Sequence, residues 1–181
     1  MNLFRKWTQI LLLALPSFFS FATQTVTGSI NLIMVGHLGY VAIAVVGVTN
    51  IIMYNVFALF SGIGHTVNYL VAQNYGSGEM KKGIQRTYLA LAASAAVAVL
   101  IAVAGICGGR AVLALSGGSD ELVAAGGQYV ELRFWAQALG IVSFMFHGFF
   151  RGVGDTRSPM VISLASNGLM VLLTYALIEG E

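Results

Sequence analysis

Five stretches of this chain are each long and apolar enough to cross a lipid bilayer as a helix, which takes about 20 mostly apolar residues. They cover residues 10–34, 40–71, 87–107, 129–150 and 159–178. Inside hydrocarbon, backbone N–H and C=O groups have no water to bond, so each stretch must satisfy its own as an α-helix. The second stretch is longer than one crossing needs; it tilts, or its end near 68–73 lies in the interface. Pro16 lacks an N–H and is expected to kink the first helix. The connectors, 35–39, 74–86, 108–128 and a turn begun by Arg151, are too short to form a soluble domain, and the apolar run 111–115 is too short to span. The expected fold class is all-α: a polytopic transmembrane bundle of about five helices.

Composition closes off the alternatives. With 57% hydrophobic and 9% charged residues, the chain lacks the charge that a soluble domain of 181 residues needs on its surface. A net charge of +2 with no basic cluster and no interleaved aromatics gives nucleic acid nothing to bind. Cys107 stands alone in an apolar run, which excludes a disulfide framework and a cysteine-based metal site. The start resembles a signal peptide in carrying Arg5 and Lys6. The apolar run behind them is too long, however, and lacks a small-x-small cleavage site, so it reads as a retained first helix.

Lysine and arginine set the orientation. Arg5 and Lys6 precede the first helix, Lys81, Lys82 and Arg86 follow the second, and Arg151 and Arg157 follow the fourth. Seven of the nine basic residues thus share one face, leaving Arg110 and Arg133 toward the other. The N-terminus is expected in the cytoplasm and the C-terminus outside.

The polar run Arg151-Gly152-Val153-Gly154-Asp155-Thr156-Arg157-Ser158-Pro159-Met160 reads as a tight basic turn between two membrane helices. Pro159 is expected to open the last helix, because proline is favoured at a first helical position, where its missing N–H would be unpaired anyway. Gly105 with Gly109, and Gly148 with Gly152, have the GxxxG spacing that lets helices approach closely. Such spacings also arise by chance in an apolar chain with 22 glycines.

Chemistry has few places to live. On the first helix Ser17, Ser20, Gln24, Thr27 and Asn31 recur every three or four residues, which puts them on one stripe. Facing lipid such a stripe is costly, so it faces other helices or a wet cavity. Hydrogen bonding between helices and the wall of a transport cavity both fit. The second helix adds Thr49, Asn50, Tyr54, Asn55 and His65; Asn50 and Tyr54 share a face, as packing or as ligand contacts. His65 and His147 stand at similar depth on two helices, but no third metal ligand accompanies them. Glu131, with Arg133 two residues on, is the one acid that could lie within the membrane. In the first turn of the fourth helix, beside Tyr129 and Trp135, it also reads as a solvated interfacial glutamate favoured by the helix N-terminus. No nucleophile–base set, carboxylate pair or phosphate loop is present, so no enzyme is expected; Gly152-Val153-Gly154-Asp155 lacks the Gly-Lys-Ser/Thr of a P-loop.

Three motifs, in order and in place, carry a resemblance: Val35-Gly36-His37-Leu38-Gly39 after the first helix, Ala72-Gln73-Asn74-Tyr75-Gly76 after the second, and the Arg151–Met160 run after the fourth. The chain resembles the MATE family (multidrug and toxic compound extrusion), most of all its DinF-type branch, over nearly its whole length. The resemblance implies an antiporter that expels small amphipathic or cationic compounds against an inward H⁺ or Na⁺ gradient, with no cofactor beyond that coupling ion. It implies twelve helices in two lobes with a cavity between and within them. This chain would supply the first five helices, as a truncated product or a piece of a longer one. Its partners would then be the substrates, the bilayer, and the missing second lobe or another copy.

Carried over by position, Pro16 matches the proline that bends the first helix, and Gln24 matches a polar cavity position. Thr27 and Asn31 continue along that stripe, Asn31 falling where many members place a coupling aspartate. Aligned by Leu177-Ile178-Glu179-Gly180, the family's second asparagine and aspartate fall at Met170 and Thr174, which do not match. The implied role is multidrug efflux across the cell membrane. A related flippase for lipid-linked saccharides is the other transport reading, and should show charge in the cavity. A non-transporting membrane protein that packs against partners, or an inactive remnant, is the reading of a different class.

Overall fold

The structure is a computed structural model describing residues 3–179, and among these it forms six α-helices and no strand. In chain order they are α1 (Leu3–Gly36), α2 (Tyr40–Phe60), α3 (Gly62–Gly76), α4 (Met80–Leu115), α5 (Asp120–Gly152) and α6 (Arg157–Glu179). The all-α bundle is as expected, but the helices outrun the expected spans. Most of 74–86 and 108–128, read as connectors, is helix, and the turns shrink to 77–79 and 116–119. Hydropathy marks where lipid begins, whereas a helix continues into water as long as its residues tolerate it. The 36 residues of α4 rise about 54 Å, well beyond a hydrocarbon core of about 30 Å.

Four segments are long and apolar enough to cross a membrane: Ile10–Gly36, Tyr40–Gly76, Met80–Leu115 and Arg157–Ile178. The second comprises α2 and α3, which Ser61 divides. The ladder survives the break, since Ser61 N–H donates to the Phe57 carbonyl at 2.8 Å and His65 N–H to that of Ser61 at 3.2 Å. The Ser61 hydroxyl also bonds the Ala58 carbonyl at 3.1 Å, a local competitor of the regular pattern. The break falls on Ser61-Gly62, a dipeptide that favours turns, within a stretch otherwise apolar enough to read as one helix.

α5 is not among the four, although 129–150 was expected to cross. Its lower apolarity has a structural reason: it is the axis of the bundle and faces protein more than lipid. Gly126, Val130, Phe134, Ala138, Ile141, Met145, Gly148 and Gly152 form one buried stripe at helical spacing. α4 packs antiparallel along it, with Gly105 on Phe134 and Gly109 on Glu131. α2 and α3 run parallel to it, as successive contacts show: Val45 on Gly126, Phe57 on Phe144, Gly64 on Gly148 and Val71 on Gly152. α5 therefore traverses the same depth as the segment Tyr40–Gly76. Both GxxxG pairs are seated at these contacts, and a Cβ on Gly148 would run into the backbone carbonyl of Gly64.

α6 packs mainly on α1, and this pair touches the other helices only lightly. Its partners, Ile30, Met34 and His37 against Val171, Leu172, Tyr175 and Ile178, make the two helices parallel. α1 exposes Trp7, Ile10, Leu11, Leu12, Leu13 and Leu15 around its whole circumference, as a helix surrounded by lipid requires. These directions put Lys81, Lys82, Arg86, Arg151 and Arg157 at one end of the bundle and Arg110 and Arg133 toward the other. The side chains of Arg5 and Lys6, and residue Gly180, lie outside what the structure describes.

The turn between α5 and α6 accounts for the Arg151–Met160 motif. α5 ends in a Schellman motif: Asp155 N–H donates to the Phe150 carbonyl at 2.9 Å and Gly154 N–H to that of Arg151 at 3.1 Å. Gly154 takes φ 87°, a left-handed conformation that disfavours residues with a Cβ. The last helix opens two residues before Pro159, at Arg157. Proline is still tolerated there, because first-turn N–H groups have no partner within the helix. Asp155 serves those groups instead: its Oδ1 accepts from the N–H of Arg157 at 3.2 Å and of Ser158 at 3.0 Å.

Gly148→Ala is expected to destabilise the bundle by about 2 kcal/mol, the usual cost of forcing atoms into a filled contact. Gly28, with nothing within 4 Å of the place a Cβ would take, should accept alanine without loss. Detergent-solubilised unfolding curves of the two variants check this, and equal midpoints would mean that the α3–α5 contact is not tight.

Candidate functional site

The polar stripe of α1 is split by its surroundings. Ser20 and Thr27 are buried, at 4% and 5% exposure, while Ser17 and Asn31 are half-buried and Gln24 is exposed. The hydroxyls turn inward on their own helix. Ser17 donates to the Leu13 carbonyl at 3.4 Å and Ser20 to the Pro16 carbonyl at 3.1 Å. Thr23, Thr25 and Ser29 do the same to Phe19, Phe21 and Thr25. Such back-bonding satisfies a hydroxyl in an apolar setting without any partner helix. Pro16 lies within α1, which continues on both sides of it.

Asn31 is the exception. Its Oδ1 is buried and has no hydrogen-bond partner among the described residues. A buried amide oxygen left so is costly, and favours a donor or a cation beside it. One helical step away, Ile30 and Met34 help to line a cleft of about 380 Å³ between α1 and α6, which His37 and Tyr175 also border. Gln24, Thr27 and Asn31 do not line that cleft themselves.

The weaker candidates fall elsewhere. Tyr54 is 72% exposed on α2. Thr174 donates to the carbonyl of Met170 at 2.8 Å, so the two positions where the family's second polar pair would fall are joined only through the helix backbone. Glu131 is not in the first turn of its helix: α5 begins at Asp120, and the N-terminal turn carries Asp120 and Glu121 instead. Ser119 caps that turn, its hydroxyl accepting the Leu122 N–H at 3.3 Å. Glu131 pairs with Arg110 of α4, Nε to Oε1 at 3.2 Å, the arginine being largely exposed.

Two further contacts join helices through arginine. Arg133 donates from Nη2 to Asn50 Oδ1 at 3.0 Å, tying α5 to α2. Arg151 places its guanidinium 4.9 Å from the centre of the Phe21 ring, a cation–π contact from the end of α5 to the middle of α1. Partners so far apart along the chain leave no periodic signal, so the sequence offered no way to find them. His65 lies edge-on to Phe144, with ring centres 5.3 Å apart. Among the described residues no three His, Cys, Asp or Glu side chains gather as a metal site would need.

Known proteins place this arrangement. The MatE family profile matches residues 16–176, and the chain belongs to that family. It is 26% identical over 177 residues to the probable multidrug resistance protein YoeA of Bacillus subtilis, covering 96% of this chain and 38% of that protein. It is 27% identical to the DNA damage-inducible protein F of Escherichia coli, covering 93% and 37%. A solved MOP superfamily transporter from Pyrococcus furiosus superposes with a TM-score of 0.87 at 21% identity, covering 94% of this chain and 38% of that one. The fold is thus that of this transporter's corresponding part. The chain spans under two-fifths of the length of these relatives, and its apolar helices make it a multi-pass membrane protein.

Glu131→Gln is expected to cost under about 1 kcal/mol, the range of an exposed ion pair. A loss near 3 kcal/mol in unfolding experiments would instead indicate a buried pair. Asp155 titrates differently. The Ser158 hydroxyl, at 2.5 Å, holds its carboxyl below the ordinary value; the N–H groups of Ser158 and Arg157 and the charge of Arg157 add to this, and desolvation opposes it. A depressed carboxylate stabilises the fold above its unfolded value and loses that contribution as pH falls toward the folded one. Asp155→Asn should therefore lower the melting temperature at neutral pH, the gap to the parent closing below about pH 4. A gap unchanged at low pH would show that the carboxylate charge is not what holds the turn.

Proposed function

We propose that this chain forms the N-terminal part of a membrane exporter of small amphipathic or cationic compounds, working by antiport against H⁺ or Na⁺. The observation that carries the reading is the MatE match over residues 16–176, which covers part or all of each helix. Two matched relatives named as probable multidrug resistance proteins, from Bacillus subtilis and Thermotoga maritima, support efflux as the activity. The excess of arginine and lysine at one end of the bundle supports an N-terminus in the cytoplasm of a cell whose plasma membrane holds the protein.

Within this part Gln24, Thr27 and Asn31 form a neutral polar wall, and Pro16 allows α1 to bend. Asn31 is the residue poised to act, because its Oδ1 is buried without a donor. An amide cannot titrate, but its oxygen can accept from a substrate ammonium or ligate Na⁺. Proton coupling then falls to carboxylates outside this chain. The exposed apolar faces of α1 and α6 suit a second lobe, or another copy, as their cover.

Cells carrying the transport-competent protein should accumulate several-fold more ethidium when Asn31 is replaced by alanine, at unchanged membrane abundance. Ser29→Ala, which removes a hydroxyl bonded only within α1, should leave accumulation as in the parent. Equal accumulation for Asn31→Ala and the parent would remove Asn31 from the site. If cells expressing the 181-residue chain alone retain ethidium like vector controls, export requires more than this chain.

A further inference from the structure

A second cleft lies away from the α1 stripe, between α3 and α4, and has a volume of about 500 Å³. Its walls are apolar, built from Leu59, Ile63 and Val67 on one side and Leu89, Ala90 and Ala93 on the other. It begins at the Ser61 break and runs to Val71 and Arg86. From Leu59 to Val71 a helix rises about 18 Å, close to the roughly 15 Å of hydrocarbon in one bilayer leaflet. The cleft thus has the length and polarity of an acyl chain in a single leaflet.

Its mouth is basic. Arg86 lines it, is exposed, and has no hydrogen-bond or ion-pair partner among the described residues. Lys81 and Lys82 stand one turn before it on α4, Lys82 already held by Glu79 at 2.6 Å. Thr87 is committed to the Gly83 carbonyl at 2.9 Å, and of the three cations Arg86 is the one that lines the cleft. We propose that this cleft binds one anionic phospholipid of the leaflet on the Lys81–Arg86 side, its acyl chain against α3 and α4 and its phosphate on the Arg86 guanidinium. A planar guanidinium matches two phosphate oxygens at once. Basic clefts between transmembrane helices at a membrane surface are suited to lipid headgroups of this charge. The groove and the charge together separate this from a general surface attraction, which would need no cleft.

Leu89 lines the cleft and is 73% exposed, which makes it a site for a reporter tryptophan. The protein carrying Leu89→Trp, with Trp7 and Trp135 replaced by phenylalanine, is reconstituted into phosphatidylcholine vesicles with a minor share of phosphatidylglycerol. One lipid or the other is brominated to quench the reporter. The expected result is about a fivefold preference for phosphatidylglycerol beside the reporter, the share of one well-placed basic residue. Arg86→Gln should bring it near unity. Arg86→Lys should retain only part of it, since an ammonium cannot grip two phosphate oxygens at once. Lys81→Gln with Lys82→Gln should leave the greater part. Equal quenching by both lipids in the parent overturns the proposal. So does a loss with the lysine pair as complete as with Arg86→Gln, which would indicate diffuse surface charge. Displacement of the brominated phosphatidylglycerol by millimolar inorganic phosphate would assign the site to free phosphate and overturn the lipid.

Discussion

The close approach of backbones along α5 is the contact on which the rest of the bundle depends. In a bilayer, lipid tails are as apolar as leucine, so helices gain little from hiding hydrophobic surface and associate through tight packing instead. Gly148 meets Gly64, and Gly152 meets Val71, with no side chain between the two backbones on the α5 side. At the other end Gly126 seats Val45, and Gly105 on α4 receives Phe134. Three neighbours thus lie along one helix over its full length. The larger side chains that fill the centre, Met53, Ile101, Phe134 and Ile141, can interlock only because the glycines hold the axes close.

The pair α1 and α6 is built on other terms. It meets the α2–α5 group lightly, through the turn at 37–39, the turn at 153–156 and the Arg151–Phe21 contact. The hydroxyls of Ser17, Ser20, Thr23, Thr25 and Ser29 bond within α1 and so do not fasten this helix to its neighbours. A helix held this way is free to change its neighbours at small energetic cost. This contrasts with the tight packing around α5.

Much of the fold could be read from residues alone, and for a physical reason. Hydrocarbon leaves a chain few choices, so the apolar runs led to the right class, and the three motifs at 35–39, 72–76 and 151–160 to the right family. What escaped depended on neighbours. Residues 74–86 and 108–128 look like connectors because their polar and glycine residues interrupt the apolar runs, yet most of them continue as helix. The break at Ser61 is marked only by the Ser61-Gly62 pair, too short a polar interruption to divide the apolar run on hydropathy. Glu131 looked like a lone acid near a helix start, while its partner Arg110 is on another helix. The stripe of α1 was visible as spacing, but not its division into buried Ser20 and Thr27 and exposed Gln24. Burial of a helix face depends on what packs there, which the period of that helix does not contain.

The pairing of α1 with α6 also says something about the order in which the chain can assemble. About 120 residues separate the end of α1 from the start of α6; at the pace of synthesis that is roughly 10 s. The α2–α4 helices can pack as they emerge, and α5 completes their group by filling the space between them. During that interval α1 sits in the bilayer without its principal partner, joined to α2 by the short turn at 37–39 and a light helix contact. A cell that stops translation before Arg157 would be left with a closed four-helix group and an orphaned first helix for its quality control to recognise.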